Sequence, residues 1–297
     1  MTLPANLDRL VETRVAGEVT NPYLPESVYR VDRTGEAYVP VGSGGVHYNV
    51  RVGMGVSAFA ADQVQPGVSI ANPVAAANQA LSTFACVGNS ARVTTGAAKG
   101  AVGVVTGRHE EFSCFQHVLV DFEDEALRVL CPGDQVVVHA LGVGLRPDSL
   151  AEVDCHSMSP DLWMALPLQL SRSGALRFPV AAVLPPQMVG IGSGRVSATT
   201  SLCLQVGSNE GRVVGEDPAE LRIGDLVAIA DWDARYHTGY RPGSVLVAVV
   251  TTGSSRWPGH GPSLTILASG RQQMLVPEVV GGINIAELLG IGTGRRG

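Results

Sequence analysis

The sequence carries little charge and few aromatic side chains, 16% and 5% of its 297 residues. With six Phe, six Tyr and three Trp, any core must be filled by aliphatic side chains. Twenty-one basic residues stand against 27 acidic ones, for a net charge of −6. No run or stripe of Lys and Arg interrupts that balance, so the electrostatic footprint of a nucleic-acid-binding protein is missing. No stretch approaches the ~18 uninterrupted apolar residues that cross a bilayer, and the N-terminus lacks a basic segment leading into an apolar one. A cytoplasmic protein with no membrane span is expected. The five cysteines, Cys86, Cys114, Cys131, Cys155 and Cys203, are odd in number, scattered and without a Cys-x-x-Cys pair. They read as reduced, mostly buried thiols and exclude a disulfide framework.

What the chain does have is 36 glycines and 18 prolines, well above the ~12% of an average protein. Frequent turns follow, and long helices are excluded. Val- and Ile-rich runs of strand length recur at 102–106, 117–122, 135–140, 226–230 and 245–250. The stretch Leu127-Arg-Val-Leu-Cys-Pro-Gly-Asp134 precedes one such run, and Leu221-Arg-Ile-Gly-Asp225 precedes another. In both, Gly supplies a positive φ and Asp bonds the turn backbone. The echo predicts a mainly β (β-rich α+β) chain of two consecutive compact barrel- or sandwich-like domains, residues 1–155 and 156–297. Short helices are expected after Asn72-Pro73 (to about Ala85), Ser159-Pro160 and Asp217-Pro218, and from Asn284 to Leu289 before Gly290.

Familiar cofactor motifs fail on spacing. Gly190-Ile-Gly-Ser-Gly-Arg195 is not set in a strand-turn-helix unit, and Gly96-Ala-Ala-Lys-Gly100 lacks the phosphate-cradling spacing. The segment richest in ligand-capable side chains is His109-Glu-Glu-Phe-Ser-Cys-Phe-Gln-His117. In a strand over 117–121, His117, Leu119 and Asp121 share one face, Val118 and Val120 the other. A hairpin would return His109 alongside His117, suiting an acid/base pair or a transition metal; the same spacing also suits a solvated surface hairpin. His260, in Pro258-Gly-His-Gly-Pro262, is expected on a rigid exposed loop. Lys99 is a lone cation among small residues, a lysine whose pKa burial would depress. His139 and His156 read as structural.

The chain resembles the domain-of-unknown-function family numbered four-four-three-eight. The resemblance is carried by Gly44-Gly-Val-His-Tyr-Asn-Val50, Val64-Gln-Pro-Gly-Val-Ser69, Ala85-Cys-Val-Gly-Asn-Ser-Ala91, the stretch from Gly96 to His109, His117-Val-Leu-Val-Asp-Phe122, Phe178-Pro-Val180, Gly192-Ser-Gly194, Gly224-Asp-Leu-Val-Ala-Ile229, Pro258-Gly-His-Gly-Pro262 and Asn284-Ile-Ala286. It implies two consecutive β-rich domains and no settled activity. Where the family has Gly-Asp-His-Val-Glu-Pro-Gly-Val-Ser, this chain has Ala61-Asp-Gln-Val-Gln-Pro-Gly-Val-Ser69. A His and a Glu have become Gln63 and Gln65, and a neutral amide neither titrates nor ligates metals well. A weaker similarity to acetamidase/formamidase hydrolases rests on Phe178-Pro-Val180 and the glycine run ending at Gly194, and it points to amide-like substrates.

Two functions are expected from this. The first is an enzyme of small-molecule metabolism, a hydrolase, lyase or cyclase acting by metal-free acid/base chemistry on an amide- or carbonyl-bearing metabolite in a cleft between the domains. Lys99, His109, His117 and His260 would carry protons, and Asn49, Gln63, Gln65 and Asn89 would bind substrate. No cofactor is predicted; a divalent metal, if one is used, would sit on His109, His117, Cys114 and Asp121. The alternative is a non-catalytic small-molecule-binding or assembly protein that keeps the fold after losing an ancestral site. A small-molecule partner and a homo-oligomer are expected, with neither nucleic acid nor membrane.

Overall fold

The computed structural model describes residues 3–24, 27–111, 115–148, 150–195, 201–206 and 212–295. Cys114 therefore lies outside the described residues.

In the first half the strands are β1 (Thr13–Val19), the small pair β2 (Arg30–Val31) and β3 (Ala37–Tyr38), β4 (Val46–His47), β5 (Gly67–Ala71), β6 (Ser90–Val93), β7 (Val102–Glu111), β8 (Phe115–Asp121) and β9 (Gln135–Ala140). Six of them run in the order β1-β9-β6-β7-β8-β5, and a β1–β5 pairing closes the ring into a barrel, with β4 added outside β5. Closure removes the exposed edges that an open sheet must otherwise cover. Alternation along each strand fills the barrel with Val68, Ile70, Val105, Val118, Val120, Val136 and Val138. His117, Leu119 and Asp121 consequently fall on the outer face of β8. Helix α1 (Ala75–Phe84) packs against β1 and β8. The short α2 (Asp124–Leu127) follows β8.

The second half contains β10 (Val153–Cys155), α3 (Pro160–Ala165), β11 (Gln169–Leu170), β12 (Leu176–Val180), β13 (Ala182–Leu184), β14 (Ser201–Cys203), β15 (Val214–Gly215), β16 (Leu226–Asp233), β17 (Gly239–Val250), β18 (Ser263–Arg271), β19 (Leu275–Val279) and α4 (Ile285–Leu289). Its main sheet is ordered β10-β18-β17-β16-β13-β15, with β14 also on β18, and a smaller sheet is ordered β11-β12-β19. The mainly β class and the short helices match the sequence reading. The division near residue 155 falls on β10, which already belongs to the second sheet.

The two halves share apolar interior. Val50, Val52, Val56 and Val64 from the first half are buried in the same cluster as Trp163, Phe178, Ile229 and Leu246 of the second. Polar contacts reinforce the joint along β7: Arg108 N–H donates to Thr265 Oγ1 at 2.9 Å and Glu110 N–H to Ser201 Oγ at 3.0 Å.

Local signals are mostly met. Ser159 Oγ accepts from Leu162 N–H at 3.1 Å, and Asn284 Oδ1 accepts from Ala286 N–H at 2.7 Å before the left-handed Gly290. Asn72 bonds Val74 N–H ahead of α1 instead of acting as its N-cap. Asp217-Pro218 opens only a turn, with Asp217 Oδ1 accepting from Ala219 N–H. Of the four described cysteines, all free, Cys86 and Cys203 are buried, whereas Cys131 is exposed on the turn before β9. No helix among the described residues is long and apolar enough to cross a membrane.

The repeated Gly-Asp turn is the same device in both halves. Asp134 Oδ2 accepts from Cys131 N–H at 2.9 Å and Asp225 Oδ2 from Arg222 N–H at 2.6 Å, after Gly133 at φ +91° and Gly224 at φ +96°. Their surroundings differ. A Cβ on Gly133 would meet nothing within 4 Å, whereas one on Gly224 would lie 2.4 Å from Asn284 Oδ1 and 2.6 Å from Val52 Cγ1. Gly133→Ala should therefore cost only the backbone strain of about 1–3 kcal/mol. Gly224→Ala should cost distinctly more, because the clash disturbs the α4 cap and the shared core. Urea unfolding of the two variants checks this order.

Candidate functional site

The glycine loop 42–45 wraps around the segment that carries both departing glutamines. Asp62 N–H donates to Val41 O at 2.8 Å and Gln65 N–H to Gly42 O at 3.0 Å. This wrapping delivers Gly44 N–H to Gln65 Oε1 at 2.9 Å, and Ser69 Oγ, from the outer face of β5, donates to the same oxygen at 2.5 Å. A main-chain N–H can only donate, so the amide orientation is fixed: Oε1 faces Gly44 and the NH2 group faces the other way.

That NH2 group meets two imidazoles. In the β7–β8 hairpin His109 lies directly opposite His117, as the spacing predicted. Gln65 Nε2 is 2.6 Å from His109 Nδ1 and 3.2 Å from His117 Nδ1. Each N–H of the amide can serve one ring, so both Nδ1 atoms act as acceptors, and both rings are neutral with their proton on Nε2. All three side chains are buried, which sets aside the solvated-hairpin alternative. Burial, followed by the charges of His260 and Arg30, pulls the His109 pKa down to about 3.

The second half closes over this cluster. Gln63, held at φ +51°, donates from Nε2 to Gly261 O at 2.8 Å and approaches Ser263 Oγ at 3.3 Å. His260 is not on an exposed loop: it is half-buried and stacked on Trp257, ring centroids 4.0 Å apart and 12° from parallel. The Arg30 guanidinium lies 4.5 Å from the centroid of the same indole. Two planar groups so close to one ring must occupy its opposite faces. Arg30 is in turn paired with buried Asp62 at 2.5 Å, and Asp62 accepts from Ser255 Oγ. Burial, followed by the Asp62 charge, pushes the neighbouring Tyr38 hydroxyl up to about 12. A cavity of about 290 Å³ lies between the halves beside this ion pair, lined by Tyr38, Ser57, Phe59, Ser255 and Arg256. A wider cleft of about 500 Å³ on the barrel side is bordered by His117.

The structure thus brings together Gln63, Gln65, His109, His117 and His260. It does not bring in the other candidates. Lys99 is exposed on the β6–β7 turn, where the small residues around it leave it in solvent. Asn49 is exposed on the turn after β4. Asn89 spends its amide on structure: Oδ1 accepts from Cys86 N–H at 2.8 Å and Nδ2 donates to Leu141 O at 2.8 Å. The described members of the alternative metal set do not all meet either. Asp121 is bound by Arg295, Arg51 and Gly292 N–H at the far end of β8 from His117. Among the described residues no three His, Cys, Asp or Glu side chains converge on one point. Sequence reasoning missed Arg30, Asp62, Ser69, Trp257 and His47. Burial lowers the His47 pKa.

Fold and site define a two-domain β protein with a closed barrel, whose buried histidine–glutamine cluster is sealed by the second domain. The chain belongs to the DUF4438 family of unknown function: the family's N-terminal domain matches residues 29–164 and its C-terminal domain residues 165–289. A solved structure described as "Crystal structure of TM1086" is similar to it with a TM-score of 0.89 and 35% identity, covering 97% of this chain and 99% of that one. No match is found among the curated proteins. Neither the family descriptions nor that of the matching structure names an acetamidase or formamidase, and that weaker similarity is not carried further.

The neutral histidines make stability depend on pH. His109 is lowered from 6.5 to about 3, and burial brings His156 down to about 4. Between these values and 6.5 the unfolded chain binds protons that the folded chain does not, so stability is complete above pH 6.5 and is lost as pH falls. Each group contributes a slope of up to about 1.4 kcal/mol per pH unit. His109→Asn, which keeps an acceptor for Gln65 but cannot titrate, should flatten the fall in stability between pH 6.5 and 4.5. Chemical denaturation at a series of pH values measures it.

Proposed function

We propose that this chain is an enzyme of small-molecule metabolism that acts on an amide- or carbonyl-bearing polar metabolite without a metal. The observation that carries this reading is the Gln65 amide bonded to both imidazole Nδ1 atoms, with Gly44 N–H fixing its orientation. An amide N–H at both lone pairs leaves no ligand atom on that side for a metal. It makes both rings neutral with the proton on Nε2, and the His109 N–H is suited to polarising a carbonyl or holding an oxyanion in a site of low dielectric. Proton transfer then falls to His260, an imidazole held in place against Trp257 on a half-buried loop. Free thiols among the described cysteines suit a reducing, cytoplasmic setting.

The second reading, a binding protein without chemistry, has its own support. With both Nδ1 lone pairs used and His109 held neutral by burial, neither ring of the pair has a basic nitrogen to offer.

The purified protein should be screened by thermal shift against small amides, lactams and hydroxy-carbonyl metabolites, and stabilising compounds assayed for product by mass spectrometry. The enzyme reading expects product, with His260→Ala lowering kcat at least 10-fold while KM changes little. Stabilisation by a compound that yields no product supports the binding reading instead. Turnover that is unaltered in both His109→Ala and His260→Ala would overturn the assignment of these residues.

A further inference from the structure

The small sheet β2–β3 stands apart from both large sheets and inverts the polarity expected of a ribbon facing water. Arg30 pairs with Tyr38 and Val31 with Ala37, and the same antiparallel register sets Tyr29 opposite Val39. Side chains alternate along a strand, so Arg30 and Tyr38 share one face and Tyr29, Val31, Ala37 and Val39 the other. The polar face is the one turned inward. Arg30 is buried against Asp62 and Trp257, and Tyr38 lines the cavity of about 290 Å³. At the ribbon tip Asp32 and Glu36 accept from Arg256 at 2.6 and 2.9 Å. The outward face is apolar: Tyr29 is 63% exposed, Val31 53% and Val39 48%, and the alternation runs on to Val41 at 55%. An antiparallel sheet with one wet face shows the reverse pattern, and a two-stranded ribbon without further cover is marginal in water.

We propose that the outward face of this ribbon is an interface between two copies of the chain, packed as a twofold dimer. Its size fits one. With Val28, which is also exposed, these side chains present on the order of 500 Å² of apolar surface, the apolar part of one side of a standard interface of ~800 Å² per partner. Its chemistry fits a second copy. Neither cross-strand row on this face carries a charge, so the patch meets itself without repulsion and requires only another apolar surface of its own dimensions. A twofold contact supplies that surface by symmetry. Ribbon-to-ribbon packing also sets a second copy behind the strands that hold Arg30 on Trp257 and Tyr38 on the cavity, bracing the joint between the halves from outside. The proposal goes beyond the enzyme and binding readings and depends on neither.

Sedimentation equilibrium of the full-length protein tests it. At about 100 µM, above the micromolar limit for interfaces of standard size, the wild type should sediment at twice the 30.9 kDa mass of the chain. Val31→Asp should weaken the dimer by about 100-fold or more, because it buries an unpaired charge in an apolar contact. It should leave a folded monomer, since Val31 faces solvent in the single chain. Val102→Asp, at a valine 48% exposed on the barrel, should leave the dimer intact. Hydrogen exchange of the wild type needs no variant and decides the question should Val31→Asp fail to fold: amides of residues 28–41 should exchange more slowly at high protein concentration than after dilution below the dissociation constant. A monomeric wild type overturns the proposal, and does so equally if that monomer binds phosphatidylcholine vesicles, which would make the ribbon a membrane contact. A dimer that survives Val31→Asp, that is lost equally in Val102→Asp, or that leaves exchange over 28–41 unchanged overturns it as well.

Discussion

Everything chemical in the cluster depends on one main-chain N–H. Gly44 presents its amide hydrogen to Gln65 because the loop around it turns through positive φ, and a Cβ there would lie 2.4 Å from Asn21 O. With that donor in place the side-chain amide has one orientation, and the orientation passes to the two imidazoles as a choice of tautomer. A carboxylate at the same position would reverse the logic. Its oxygens would still accept from Gly44 N–H but would have no hydrogen to give His109 and His117, so each ring would have to turn an Nδ1–H towards it. The difference between an amide and an acid at residue 65 is therefore a difference in the kind of site.

The second constraint is burial across the joint between the halves. Val50, Val52, Val56 and Val64 enter the second half's interior, so the segment leading to Gln65 is anchored by apolar packing at both ends. On the other side Gln63 bonds the 258–262 loop that carries His260. The cluster is thus assembled by the docking of the two halves, and its low dielectric is a product of the same docking. Neutral imidazoles are the economical answer to that environment, since a buried unpaired cation would oppose the packing that creates it. The charge that is buried there, Arg30, is matched by Asp62 at 2.5 Å.

Much of the scaffold was legible in the sequence because it is local. Runs such as Gln135–Ala140 and Leu226–Ala230 fold as strands, and the Gly-Asp turns perform the predicted bonding in both halves. The His109–His117 pairing was also readable, since a short hairpin leaves little choice of register. Loops rich in small residues misled the reading: Lys99 and Asn49 lie in solvent, and Asn89 braces the backbone. His47, Arg30 and Trp257 went unread for the opposite reason. Arg30 and Trp257 meet across more than two hundred residues, and no periodicity encodes that contact.

The two glutamines carry separate consequences. Gln65 sets protonation, whereas Gln63 sets attachment: its amide reaches Gly261 O, one residue beyond His260. A titratable side chain at 63 would couple the position of that loop to pH, and an amide does not. Both amides therefore act in one direction, placing no side-chain charge where the halves meet while making a hydrogen bond at each place. What remains is a site whose donors and acceptors are set by tautomer and main-chain geometry, which favours recognition of an uncharged polar group over coordination of a cation. The Arg30–Trp257–His260 stack stands beside it, and the charges of His260 and Arg30 both help to hold His109 neutral across the joint.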